Sequence, residues 1–60
     1  MYAVRRTRYE GEKELYSDNL QVFETEAQAN SVCNQFQQEF KTEERHRNLI
    51  FKDIFTVVQV

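Results

Sequence analysis

The residues of this 60-residue sequence that are best suited to chemistry are arginines and tyrosines near its start. Arg5, Arg6 and Arg8 are interleaved with two aromatic residues, Tyr2 and Tyr9. Sheets that bind single-stranded nucleic acid combine aromatic rings, on which bases stack, with arginines that contact phosphates. These five residues are therefore a candidate nucleic-acid-binding set.

The same arginines have a second interpretation, in which they form ion pairs across a sheet. Glu12, Glu14 and Asp53 are candidate partners, and each such pair contributes at most about 1 kcal/mol. The net charge of −2 and the pI near 5.3 favour this interpretation, because nucleic-acid-binding proteins usually carry a basic surface. Nucleic-acid binding stays as the alternative function.

Residues for catalysis or metal binding are few. The sequence has one histidine, His46, and one cysteine, Cys33, and the thirteen positions between them would span about 20 Å of helix. Gly11 is the only glycine, so the chain has no glycine-rich loop for a phosphate group. A lone cysteine on an apolar helix face behaves as a small hydrophobe. We therefore expect no enzyme activity, no metal and no cofactor.

The segment from 25 to 47 shows the clearest periodicity in the sequence. Its apolar residues recur at the spacing that places side chains on one face of an α-helix: Ala29, Val32, Cys33, Phe36 and Phe40. The residues between them are polar and would face water. The pattern predicts a long amphipathic helix over residues 25–47, with Phe36 and Phe40 at the centre of its contact with a sheet.

Both ends of this predicted helix carry sequence signals. Thr25 and Gln28 have the spacing of a capping box. A group of cations follows near the other end: Lys41, Arg45, His46 and Arg47. Because cations stabilise the exposed carbonyls of a helix C-terminus, we expect the helix to continue to this group and to end before Asn48.

Three segments have the pattern of β-strands. Residues 1–9 alternate between two faces, and the following residues 10–13 contain Gly11, which favours a hairpin turn. Residues 15–23 form the returning strand, which we expect to be irregular near Asp18 and Asn19 because these residues favour turns and bulges. Residues 49–60 are the most β-prone part of the chain.

These elements predict a single small α+β domain over residues 1–60. Their order along the chain is ββαβ. The simplest assembly is a three-stranded antiparallel sheet with strand order 3-1-2 and one long amphipathic helix packed on one face.

The last predicted strand is apolar on both sides. One side carries Ile50, Ile54, Thr56, Val58 and Val60, and the other carries Leu49, Phe51, Phe55 and Val57. One helix covers only one face of such a sheet. We assign the first set to the helix contact and predict that the second set binds a protein partner, either a second copy of the chain in a homodimer or a different protein.

The layout of the chain resembles that of many small proteins encoded by phages and mobile elements. It consists of a short aromatic strand, the segment Phe23-Glu24-Thr25-Glu26-Ala27-Gln28-Ala29 that opens a helix, and a β-rich final strand. The resemblance implies an accessory protein that binds and modulates or inhibits a larger host protein in the host cytoplasm. No segment has the pattern of a signal peptide or membrane span. We expect a cytoplasmic, non-enzymatic protein-interaction module.

Overall fold

The computed structural model of the protein describes residues 1–40 and 42–60. Within them, two long strands, β1 (Tyr2–Glu10) and β2 (Lys13–Phe23), precede the helix α1 (Glu26–Glu39). A short strand, β3 (Glu43–His46), and a long one, β4 (Leu49–Gln59), follow it. The strands form an antiparallel sheet with the order β2-β1-β4-β3. The predicted α+β class is confirmed, and β1 lies between two long neighbours as predicted. The three-stranded sheet is wrong, because β3 adds a fourth strand.

The hairpin between β1 and β2 turns at Gly11. This glycine has a φ of 59°, which other residues adopt only with strain. Its N–H donates a hydrogen bond to the carbonyl of Ile50 at 2.8 Å. The pairing of β1 with β2 shifts register between Val4 and Arg5 and again between Arg8 and Tyr9, which leaves Leu20 and Leu15 of β2 unpaired. The strand is irregular as predicted, but on either side of the predicted position, since Asp18 and Asn19 are paired in register.

Helix α1 begins as its sequence predicts. Thr25 has an extended backbone, and its hydroxyl oxygen accepts a hydrogen bond from the N–H of Gln28 at 3.3 Å. This bond satisfies one of the backbone donors that a helix leaves free at its first turn. Phe23 at the end of β2 packs against the core beneath the helix, so the strand leads directly into α1.

The helix ends earlier than the sequence pattern predicts. Phe40 has extended backbone angles, and its N–H donates to the carbonyl of Phe36 at 2.9 Å. Arg45 and His46, predicted in the last helical turn, lie in β3 instead. Lys41, another of the predicted helix-end cations, lies outside the described residues.

The early helix end has a physical reason in the sequence. No apolar residue occurs between Phe40 and Leu49, so a helix continued through this segment would have nothing to pack against the sheet. As a strand, the segment forms hydrogen bonds with the start of β4, and Arg47 and Asn48 make the tight turn between them. Arg47 takes a positive φ of 57° in that turn.

The core lies between α1 and one half of the sheet. Its buried residues are Val4, Ala29, Cys33 and Phe55, and the partly buried residues around them are Tyr2, Phe23, Val32, Phe36 and Val57. Cys33 is buried, as its position on the apolar helix face predicts. The opposite half of the sheet, which carries the β1–β2 turn and β3, extends beyond the helix and gives the molecule dimensions of 41 × 20 × 13 Å.

The faces of β4 are the reverse of those predicted. Phe55, which we predicted to lie opposite the helix, is only 5% exposed and is part of the core. Ile54, which we assigned to the helix contact, is 46% exposed. The reason is that Phe55 fills the space beneath the helix with a large ring, which lies 5.9 Å from the ring of Phe36 and 6.0 Å from that of Phe40. Alternation alone cannot distinguish two apolar faces.

The three phenylalanines of this contact are buried to different degrees, which predicts different contributions to stability. Phe55→Ala should lower the free energy of unfolding by about 3–5 kcal/mol, most of the total of about 3–9 kcal/mol expected for 60 residues. Phe40→Ala should cost roughly 1 kcal/mol, because this ring is 53% exposed. Urea unfolding followed by circular dichroism measures both, and equal losses would contradict this description of the core.

Candidate functional site

The register of the strands defines which side chains share the face opposite the helix. Val4 pairs with Val57, and both pack in the core beneath α1. Because side chains alternate along a strand and directly paired residues share a face, Ala3 and its partners Val22 and Val58 project from the other side. We call this side the open face, since no element of the described chain covers it.

The open face changes in character from one end to the other. Its apolar end carries Ala3, Val22 and Val58 in one row across the sheet. Its charged end carries Glu14, Tyr9, Lys52 and Glu43 in another such row. Arg5, Thr56 and Asn19 form a polar row between them, and Thr7, Ser17 and Ile54 form the next. The face is therefore apolar at one end and charged at the other.

On the open face, the side chains of the central strand β1 are short and closely packed between their neighbours. Ala3 is fully buried and Thr7 is 9% exposed, because their short side chains lie between larger neighbours on β2 and β4. The large apolar residues beside them remain accessible: Val22 is 49% exposed and Val60 is 55% exposed. Ile54 is exposed on the same face, but the polar row of Arg5, Thr56 and Asn19 lies between it and this apolar end.

The whole molecule is more open than a compact protein of its size. Its accessible surface is 4596 Å², whereas a compact monomer of 7.3 kDa would expose about 4,200 Å². Its radius of gyration is 12.4 Å, against about 10.4 Å for a compact chain of 60 residues. Both differences follow from the half of the sheet that extends beyond the helix and from the open face.

The four residues predicted to bind a partner do not form one surface. Phe55 lies in the core, and Val57 packs against it. Phe51 is partly buried and lies under the guanidinium of Arg8, whose carbon is 5.1 Å from the centre of the Phe51 ring. Leu49 is 44% exposed at the start of β4. All four are on the helix side of the sheet. The side of β4 that the helix leaves uncovered is therefore the opposite one.

The arginines of β1 point to both faces, as the alternation predicts. Arg8 is held between two carboxylates, with Nη1 3.1 Å from an oxygen of Asp53 and Nη2 3.6 Å from one of Glu44. Arg6 lies over the ring of Tyr16, with its Nη2 4.0 Å from Asp18. Both arginines are on the helix side, beyond the end of α1.

The remaining residues of the nucleic-acid-binding candidate set are separated from this pair. Arg5 is on the open face, where its Nε donates to the side-chain oxygen of Asn19 at 2.9 Å. Tyr9 is also on the open face, paired with Lys52 and Glu14. Tyr2 is partly buried against the core. The five residues are thus divided between two faces, and the ion pair of Arg8 with Asp53 is one that the sequence predicted.

Two grooves lie along the helix. One, of about 440 Å³, is between the start of α1 and the end of β2 and is lined by Phe23, Ala27, Gln28, Ser31 and Val32. The other, of about 290 Å³, is lined by Gln37, Thr42, Asp53, Ile54 and Phe55. Both are open to solvent. The first groove places no base beside Ser31, and in the second Asp53 already pairs with Arg8 at 3.1 Å, so neither lining suggests a catalytic arrangement.

Comparison with known proteins adds no family to these observations. No protein-family model matches the chain, and neither the curated proteins nor the solved structures contain a match. In residues 1–40 and 42–60, no cluster of three or more histidine, cysteine, aspartate or glutamate side chains is placed to hold a metal ion. The helix that the structure describes is too short and too polar to cross a membrane.

The different surroundings of Arg8 and Arg6 predict different effects when their partners are changed. Asp53→Asn should lower the free energy of unfolding by about 1–3 kcal/mol, because the Asp53 side chain is only 14% exposed and Arg8 would lose its closest carboxylate. Asp18→Asn is the matched control. It should change stability by less than about 0.5 kcal/mol, since Asp18 is 58% exposed and its contact with Arg6 is long. Thermal unfolding of the two variants measures this, and a larger loss in Asp18→Asn would contradict it.

Proposed function

We propose that this protein is a non-enzymatic protein-interaction module that binds its partner through the open face of its sheet. The observation that carries the proposal is the set of accessible apolar side chains on a face that no described element covers: Val22, Val58 and Val60 at its apolar end, and Ile54 beyond the polar row. Removal of such a surface from water is favourable by about 25 cal/mol per Å² of apolar area. A partner would therefore gain substantial binding energy there.

The shape of the open face favours a protein over a small molecule as its ligand. Small molecules bind in concave pockets that enclose most of their surface. The open face is instead a broad, shallow surface of a sheet, and both grooves of the structure are lined mainly by residues of the helix side. Broad surfaces with an apolar part and polar surroundings are typical of protein interfaces.

Two kinds of protein suit this surface. One is a larger host protein that the module modulates or inhibits, the role implied by the resemblance to small phage and mobile-element proteins. The other is a second copy of the chain. Both would bury the same apolar residues, so one pair of variants can test the surface before its occupant is known.

The test uses two substitutions of equal chemistry at sites of similar exposure on opposite sides of β4. Ile54→Glu places a charge on the open face, and Leu49→Glu places one on the helix side; the two residues are 46% and 44% exposed. Tagged wild-type and variant proteins are purified from source cells that also make an untagged copy, and the bound proteins are identified by mass spectrometry. Proteins retained by the wild type and by Leu49→Glu should be lost with Ile54→Glu.

The comparison has a clear negative outcome. If the same proteins accompany all three baits, or if Leu49→Glu loses them and Ile54→Glu keeps them, the open face is not the binding surface. Circular dichroism of each variant shows that a loss does not come from unfolding. Because both side chains are exposed in the monomer, both variants should keep the fold.

Nucleic-acid binding is less well supported by the same contacts. Arg8 lies between the carboxylates of Asp53 and Glu44, which would compete with phosphate. Arg5 is on the other face and donates to Asn19. A nucleic acid would therefore find no continuous basic surface along β1.

A titration distinguishes this alternative function. Labelled single-stranded DNA and RNA should show only weak binding at low salt and none at physiological salt, because few phosphates can be neutralised. Arg6→Ala should leave that weak binding unchanged within about a factor of two. Tight binding whose affinity falls steeply with salt and weakens in Arg6→Ala would favour the nucleic-acid function instead.

A further inference from the structure

We infer that the partner of the open face is a second copy of this chain, and that the two sheets pack face to face in a symmetric dimer. This inference rests on the proposed function, because it names the protein that the open face binds. It is argued from the area of the face, from its balance of charge and from its change of character along the strands.

The open face is large enough for a dimer interface. The two longer dimensions of the molecule, 41 and 20 Å, enclose a rectangle of about 800 Å², which is the upper limit for the face and matches what each partner contributes to a standard stable interface. A smaller patch would fit a transient contact. The two helices would then lie on the outside of a four-layer assembly, and the dimer would resemble a β-sandwich between them.

The charges of the open face suit self-association. Arg5, Lys52 and Arg45 are opposed by Glu14 and Glu43, so the face is nearly neutral although the whole chain has a net charge of −2. Arg45 already pairs with Glu43 at 3.2 Å. Two such faces can approach without a net electrostatic repulsion, whereas two acidic faces could not.

The change of character along the strands determines how the two copies are oriented. The apolar row of Ala3, Val22 and Val58 must meet apolar side chains, since contact with the charged row would bury charges without partners. The apolar end of one open face therefore meets the apolar end of the other. A two-fold axis parallel to the strands has this result, and it places β1 of one copy over β4 of the other.

This orientation also matches side-chain sizes across the interface. Ala3 and Thr7 of β1 would face Val58 and Ile54 on β4 of the second copy. Small side chains of one copy would thus pack against large side chains of the other. Facing layers that combine large and small side chains fill the space between sheets about 10 Å apart. The apolar end of the face thus has the complementarity to itself that a two-fold interface requires. At the charged end the same axis places Glu14 of one copy over Glu43 of the other, so these carboxylates must stay hydrated at the edge of the interface.

The mass of the purified protein tests this inference. By light scattering at high micromolar concentration, the wild type and Leu49→Glu should have twice the chain mass of 7.3 kDa. Ile54→Glu should have the single chain mass and an unchanged helical signal. If Ile54→Glu does not fold, Val58→Glu decides, because Val58 lies on the open face of β4 and would face Ala3 of the second copy.

Several outcomes would overturn the inference. A wild-type protein with the single chain mass is one, and a Leu49→Glu variant that dissociates as Ile54→Glu does is another. The failure of this inference is separate from that of the proposed function. If the wild type is a monomer and its captured partners are still lost with Ile54→Glu, the proposed function stands. The partner of the open face is then a different protein.

Discussion

One helix must cover a sheet that is too large for it, and the remaining features of the molecule depend on that constraint. Helix α1 has 14 residues, or about 21 Å at 1.5 Å per residue, whereas the molecule is 41 Å long. It can bury one half of one face. The core is therefore small, and among the described residues Val4 is the large side chain that is fully buried. Stability beyond this core must come from pairing within the sheet.

The uncovered half of the helix side is stabilised by polar contacts instead of apolar ones. Arg8 stacks over Phe51 and contacts Asp53 and Glu44, and Arg6 stacks over Tyr16. Long arginine side chains cover aromatic rings there, and their terminal nitrogens lie near carboxylates, although the Nε of Arg6 is buried without a hydrogen-bond partner among the described residues. This explains why a strand with three arginines can lie at the centre of a sheet. The same contacts reduce the capacity of these arginines to bind phosphate.

Local signals in the sequence predicted the parts of the fold that local chemistry determines. Gly11 marks the hairpin turn because glycine takes a positive φ without strain, and Thr25 marks the start of α1 because its hydroxyl can cap the helix. The end of α1 and the faces of β4 depend instead on contacts between distant residues. Whether the segment after Phe40 is helix or strand is determined by its pairing with β4, and the burial of Phe55 is determined by the helix that crosses it. The sequence showed that one of the two apolar sides of β4 would lie opposite the helix, but it did not show which one, so an uncovered apolar side was predicted and its residues were not.

The edges of the sheet are poorly suited to association through strand pairing. The edge strand β3 is short and its four residues are charged or polar, and β2 carries two bulges and charged side chains. Both features oppose the addition of another strand. Beyond β3, the edge of β4 is partly occupied as well, because Gln37 of the helix donates a hydrogen bond to the carbonyl of Phe55 at 3.1 Å. The chain has no proline with which to block an edge, yet charge, bulges and this one side chain have the same effect. The open face is then the surface where association can bury apolar area without breaking existing contacts.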